Sequence, residues 1–234
     1  MREEIIKVLK LNPAYGHRRV ALKLRIGRKR ARRVMRLFNL RPYKRKARWT
    51  KKKDWGQPDA GYPNLIKGVC PLKPNLFFAG DFTRLIWNQK VFYLATFMDL
   101  FTREIVGWSI SVRHTAKLVI DAYFEALKTV GKPEIVHTDQ GAEYKSQDYQ
   151  NFITSLGTQI SMSAKASPWE NGYQESFYDN FKTDLGLEFE RFETIGEFVE
   201  AVHQTIQYYN QERIHTKLRI PPSEFRRQYL TQKS

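Results

Sequence analysis

The sequence predicts a mixed α/β sheet flanked by helices, preceded by a small all-α module rich in basic residues. Apolar runs of strand length, separated by turn-length gaps, cluster between residues 76 and 112, as in an antiparallel meander. Beyond them, apolar residues at three- and four-residue spacing alternate with short strand-like runs, so helices must cover the sheet. Charge is unevenly placed: the chain carries +16 overall, yet residues 1–53 hold 21 Lys and Arg against two Glu, leaving the rest at −3.

Residues 3–11 carry Ile5, Ile6, Val8 and Leu9 at helical spacing, followed by a turn through Asn12, Pro13 and Gly16. A second helix is expected over 17–25, with Val20, Ala21 and Leu24 on one face. A third, over 28–38, sets Ala31, Val34, Met35 and Phe38 in an i, i+3, i+4, i+7 stripe. Arg28, Lys29, Arg32, Arg33 and Arg36 then fall mostly on its other face. Three short helices ending in a basic one have the outline of a helix-turn-helix unit. The positive charge continues through Lys44, Arg45 and Lys46 to Lys53, with Tyr43 and Trp49 available for stacking. A solvated helix face is the plainer reading of one such run, but its extent favours phosphate contact by counterion release. Residues 1–53 are therefore read as a DNA-binding module. Residues 54–75, with four Pro and three Gly, read as an irregular linker.

The span 76–234 is read as one catalytic core with C-terminal helices. Strands are expected at 76–82, 91–98 and 104–112, then a helix at 115–130 with Leu118, Val119, Ala122, Ala126 and Leu127 on one face. A strand at 134–138, a helix near 147–156 and a strand near 158–162 follow. The next helix should open at Ser167, with Pro168 first and Glu170 completing a capping box. In the last long helix, 194–213, Ile195, Phe198, Val199, Val202, Ile206 and Tyr209 form a stripe suited to core or dimer packing. Three strands, a helix, a strand and further helices follow the ribonuclease H-like order.

Within that order the acids are placed informatively. Asp81 ends the apolar run Leu76–Gly80, Asp139 follows Ile135–Thr138, and Glu175 lies on a helix with thirty-five residues between it and Asp139. Two strand ends and one helix face can converge. Three converging carboxylates would repel one another and lose hydration, a problem that divalent cations remove. Two Mg²⁺ ions, with Mn²⁺ as a substitute, would suit hard oxygen ligands and an in-line displacement at a phosphodiester. Asp99 is a rival first ligand, but the stretch from it to Asp139 is too short for the three-strand meander. It reads better as a turn acceptor ahead of Thr102.

Composition sets limits. The single Cys70 excludes an internal disulfide and makes a cysteine-based zinc site a poor fit, so a reducing cytoplasm is expected. No apolar run approaches the roughly 20 residues of a membrane span, and the N-terminus has no signal-peptide pattern.

On these residues the sequence resembles the second-reading-frame (OrfB-type) transposases of the insertion sequence three family, which share the retroviral-integrase catalytic core. The resemblance rests on Asp81-Phe82-Thr83, Tyr93-Leu94 to Asp99, Ile105-Val106-Gly107-Trp108, and His137-Thr138-Asp139-Gln140-Gly141 with Tyr144. It continues through Glu175-Ser176-Phe177 with Lys182 and through Tyr209-Asn210 with Arg213, His215, Leu218 and Pro221-Pro222. It implies a DDE transposase in which Asp81, Asp139 and Glu175 hold two Mg²⁺ ions. Such an enzyme nicks transposon ends and transfers the exposed 3′-hydroxyls to target DNA. It also implies homo-oligomers in a synaptic complex, a first-reading-frame partner protein, and a nucleoid-associated place in a bacterial cytoplasm. Two departures stand out: Phe78 where the family usually has Trp, and Trp169-Glu170-Asn171-Gly172 where an Asp-Asn pair is more frequent. Rival functions are a noncatalytic DNA-binding regulator or remnant, and a ribonuclease H-type nuclease acting on hybrids.

Other residues receive narrower expectations. Lys182 lies almost two turns beyond Glu175, about 10 Å along the same face, where it could bind the neighbouring phosphate. Asn171 and Tyr178 on that side could also touch DNA. His137 is expected to point to the same side as Asp139 and orient it, and His215 is expected to support the site structurally. Glu143 and Asp148 are expected to face solvent or cap the helix starting near Ser146. His17, His114 and His203 are isolated and read as surface or satisfied core residues.

Overall fold

The computed structural model describes residues 1–43, 61–164, 172–186 and 191–232. The chain forms two compact units. One comprises Met1–Trp49, Asp179–Glu188 and Glu200–Ser234; the other comprises Thr50–Tyr178 and Phe189–Val199.

The second unit is built on a five-stranded sheet. Its strands are β1 (Phe77–Trp87), β2 (Lys90–Asp99), β3 (Ile105–Ser111), β4 (Ile135–Thr138) and β5 (Gln159–Met162). Their spatial order is β3-β2-β1-β4-β5. The meander β1-β2-β3 is antiparallel, whereas β4 pairs parallel to β1 and β5 parallel to β4. Parallel neighbours need crossovers, and the helices expected between these strands supply them. The sheet is thus the mixed one predicted.

Helices of the first unit and the crossovers are α1 (Arg2–Leu11), α2 (His17–Lys23), α3 (Arg28–Leu37), α4 (Ala116–Val130), α5 (Ala142–Lys145) and α6 (Gln147–Ser155). After β5 come α7 (Gly172–Leu185), α8 (Ile195–Gln211) and α9 (Pro222–Thr231). Helix α4 buries Leu118, Val119, Ala122, Tyr123 and Ala126. They join Phe78, Phe97, Val106 and Val136 of the sheet in the main core. Gly107 allows this close approach, because a Cβ there would collide with the backbone of Ala122 and Ala126. Helix α6 is capped as the sequence suggests, the Ser146 hydroxyl accepting from the Tyr149 N–H at 3.3 Å. Phe78 is fully buried in this core, where the replaced family Trp would have brought a polar N–H to satisfy.

Two expectations about organisation change. The stretch before β1 is irregular, as read, but its described part is fixed to the sheet. The Leu65 N–H donates to Ser161 Oγ at 2.9 Å, and the Met162 N–H donates to the Pro63 carbonyl at 3.3 Å. The span 76–234 also does not cohere as one body, because its C-terminal portion groups with the N-terminal helices. The reason lies in the small N-terminal core. Ile5, Val8, Tyr15, Val20, Ala21, Ala31 and Met35 are completed by Ile214 from far along the chain. Polar contacts reinforce the closure. The Ile214 N–H donates to Tyr15 Oη at 2.8 Å, and Arg19 Nε donates to the Ile214 carbonyl at 2.9 Å. Burial, together with nearby Arg213, lowers Arg19 to about 10. In the same unit nearly buried Arg213 pairs with Asp184 and donates to Asn180 Oδ1 at 2.9 Å.

Candidate active site

Register brings two acids together. In the parallel pair, Ala79 lies opposite His137, so Asp81 and Asp139, each two residues further on, stand on the same face of neighbouring chains. Asp139 follows the end of β4, as expected. Asp81 does not end a strand: β1 continues to Trp87, paired only with β2 beyond Ala79. The acid therefore sits where β1 loses its parallel neighbour, which opens space beside it. Each carboxylate is oriented locally, Asp81 Oδ1 accepting from the Phe82 N–H at 2.8 Å and Asp139 Oδ1 from the Gly141 N–H at 2.9 Å.

Two buried tyrosines report the combined charge. Burial pushes both Tyr144 and Tyr178 well above the ordinary phenol range, and in both the Asp81 and Asp139 carboxylates push the same way. Like charges disfavour a phenolate, so both phenols stay neutral beside the acids.

Helix α7 docks beside Asp81 through a buried polar network. Gln174 Nε2 donates to the carbonyl oxygens of Ala79 at 2.6 Å and Thr96 at 3.3 Å, and the Thr96 hydroxyl donates to Gln174 Oε1 at 3.1 Å. The Tyr178 hydroxyl donates to the Asp81 carbonyl at 2.7 Å and lies 2.8 Å from Thr96 Oγ1. Glu175 follows Gln174 directly and is exposed. Its helix is thus hung from the main chain on both sides of Asp81. Arg103 adds a cation–π contact, its guanidinium 3.7 Å from the centre of the Tyr173 ring. Among the described residues no group of three or more His, Cys, Asp and Glu is already gathered closely enough to hold a metal ion. The donor set nevertheless fits a hydrated divalent cation. Asp81 and Asp139 offer hard oxygens, and the buried Tyr144 hydroxyl beside them has no hydrogen-bond partner among the described residues.

The remaining site expectations divide. Arg28, Lys29, Arg32, Arg33 and Arg36 are all exposed on α3, while Ala31 and Met35 are buried, so basic and apolar faces separate as the spacing predicts. Burial and the charges of Arg32, Arg18 and Arg28 hold His17 below its ordinary value, a sign of uncompensated positive charge here. Lys182 is half-buried on α7, seven residues beyond Glu175. Asn171, Lys44, Arg45 and Lys46, and the capping box at Ser167, lie outside the described residues. Tyr178 is only 6% exposed with its hydroxyl engaged, so it cannot stack on a base.

His137 is buried, with Nδ1 2.8 Å from Ser161 Oγ, so this nitrogen ties β4 to β5. His215 belongs to the first compact unit, its N–H donating to the Ile220 carbonyl in the turn after α8, whereas the paired acids belong to the second. Glu143 is buried rather than solvent-facing, because His114 reaches it from the loop after β3. Asp99 is a turn acceptor: Oδ1 takes the N–H groups of Phe101 and Thr102, and Oδ2 that of Asn75. Sequence reasoning missed Gln174 and Thr96. The signal available for the first was its four-residue spacing from Tyr178 on the helix that carries Glu175.

Comparisons with known proteins agree with this geometry. The family model described as Integrase core domain matches residues 71–168, and a second of the same description matches residues 156–222. The InsK protein of insertion sequence element IS150 from Escherichia coli K12 is 30% identical over 223 residues, covering 92% of this chain and 78% of that protein. The 31 kDa protein of insertion element IS600 from Shigella sonnei is 32% identical, covering 94% and 84%. The transposase for insertion sequence element IS904 from Lactococcus lactis is 41% identical over 160 residues, and this chain spans 63% of its length. Among solved structures, the HTLV-2 integrase catalytic core domain in complex with magnesium aligns with a TM-score of 0.57 at 22% identity, over 66% of this chain and 98% of that one. With relatives above this identity along most of their own length and an integrase-type sheet beneath the paired acids, the chain belongs to the insertion sequence three family of transposases.

Proposed function

We propose that this chain is a DDE enzyme that cleaves DNA at transposon ends and joins the resulting 3′-hydroxyls to a target strand. The observation that carries the reading is the alignment of Asp81 with Asp139, beside a helix fixed to the Ala79 and Asp81 carbonyls on which Glu175 follows Gln174. Asp81, Asp139 and Glu175 would hold the metal. When bound, two Mg²⁺ ions, or Mn²⁺ in their place, supply Lewis acidity that favours attack by water or a 3′-hydroxyl and departure of the leaving oxygen. Gln174, Thr96 and Tyr178 keep the helix in register with β1, so Glu175 enters the site without a large search of helix positions. Lys182 and Asn171 hold the phosphates flanking the reacting one. The exposed Arg and Lys of α3, continued in sequence by Lys44, Arg45 and Lys46, grip double-stranded DNA. His137 and His215 act through the backbone they brace.

Bringing two DNA ends together calls for more than one copy of the chain. End recognition is assigned in part to a first-reading-frame partner protein, and the enzyme's place is on bacterial nucleoid DNA. Among the described residues no helix is long and apolar enough to cross a membrane. The test uses purified protein, Mg²⁺ and a DNA carrying element ends. Nicking and joining are expected from the wild type. Glu175→Gln should abolish both while DNA binding persists. Equal activity in the two proteins would exclude the DDE reading.

A further inference from the structure

A buried carboxylate beside the paired acids is left over by the mechanism. Glu143 is only 6% exposed, and its Oε1 lies 2.5 Å from His114 Nδ1. Its other oxygen, Oε2, approaches the acids. Oε2 and Asp139 Oδ1 lie 3.1 and 3.0 Å from the one point that a Cβ on Gly141 would occupy, so the two oxygens are at most about 6 Å apart. A Cβ at position 141 would press on both. A third anion this close to Asp139 raises the local repulsion and offers an alternative ligand for a cation.

His114 is half-exposed, and its ring is placed by two aromatic neighbours. Its ring lies parallel to Phe82, with centroids 6.3 Å apart and 14° between planes, and 4.7 Å from the ring of Tyr93. Phe82 is the residue whose N–H orients Asp81. One aromatic platform therefore sets the backbone of the first acid and the imidazole that engages Glu143. A carboxylate facing a ring nitrogen at this distance must accept a hydrogen bond from it, and such a charge-assisted bond is strong; here it is buried on the Glu143 side and open to solvent on the His114 side.

We infer that His114 is a positioning residue: it engages the buried Glu143 carboxylate and withholds it from the metal-binding acids, so that Asp81 and Asp139 meet the cation without a local competitor. This rests on the DDE reading. It requires that the cost of losing His114 come from the charge of Glu143, which can be removed separately.

The experiment compares wild type, His114→Ala, His114→Gln and the double variant His114→Ala/Glu143→Gln, after circular dichroism establishes that each is folded. Mn²⁺ affinity and stoichiometry by calorimetry are read alongside single-turnover nicking. His114→Ala should nick about tenfold more slowly, or worse, and bind Mn²⁺ more tightly or take up an additional ion. His114→Gln, which retains an N–H donor, should recover part of the rate. The double variant should recover both rate and normal Mn²⁺ binding, which a purely structural role for His114 would not allow. A double variant no better than His114→Ala, or a His114→Ala protein indistinguishable from wild type, overturns the inference. Should His114→Ala be too unstable to purify, a double variant equally unstable overturns it, and a stable one supports it. A wild type that binds Mn²⁺ but never cuts DNA would instead sink the DDE reading. The inference about Glu143 would still be decided by the calorimetry.

Discussion

Tyr178 shows how one hydroxyl can matter more than a ring. By sequence it is an aromatic residue on the glutamate helix, equally suited to packing or to DNA. Only the fold shows its hydroxyl donating to the Asp81 carbonyl at 2.7 Å inside a network with Thr96. Tyr178→Phe keeps the packing and leaves that carbonyl short of a donor, so a loss of about 1–3 kcal/mol is expected in urea denaturation. Nicking should slow while DNA affinity stays constant; a variant with wild-type stability and rate would remove Tyr178 from the positioning network. Asp99 was legible as a turn acceptor because turns write local signals. Glu143 was not legible. Its burial depends on His114, which is twenty-nine positions away and looks isolated in the sequence.

At the scale of elements, periodicity predicted almost every strand and helix, since alternation and three-to-four spacing are local properties of the chain. Pairing is not local. The register that sets Ala79 opposite His137 comes from packing Phe78 and Val136 into one core, and a shift of one residue would turn Asp139 to the opposite face. The extension of β1 past Asp81 was likewise hidden, because Phe82 to Trp87 mixes polar and apolar residues that only pairing with β2 organises. Gly107 tests how tightly these elements are fitted. Gly107→Val would drive a branched side chain into the α4 backbone, and a loss of about 3 kcal/mol or more is expected, read as a lowered melting temperature. An unchanged melt would mean that β3 and α4 approach less closely than Ala122 and Ala126 indicate.

For the whole molecule, the charge gradient sets residues 1–53 apart from the rest, whereas the compact units divide the chain differently. Charge follows the chain, whereas compactness follows contacts, and Ile214, Arg213 and Tyr208 close the unit that Ile5 and Tyr15 begin. Residues 1–53 expressed alone should therefore lack a cooperative thermal transition, because three short helices without Ile214 bury too little to offset their ordering entropy. A sharp transition with native helicity in that fragment would contradict this. Ile214 also fixes an order of events during synthesis. The basic helices are made before the sheet, and the five strands described above are made by Met162, but the residue that seals the basic helices arrives some fifty positions later. A message cut short in that interval would yield a protein with its sheet complete and its N-terminal helices unsealed. Until Ile214 is supplied, helices α1 to α3 would pack loosely and stay open to proteolysis.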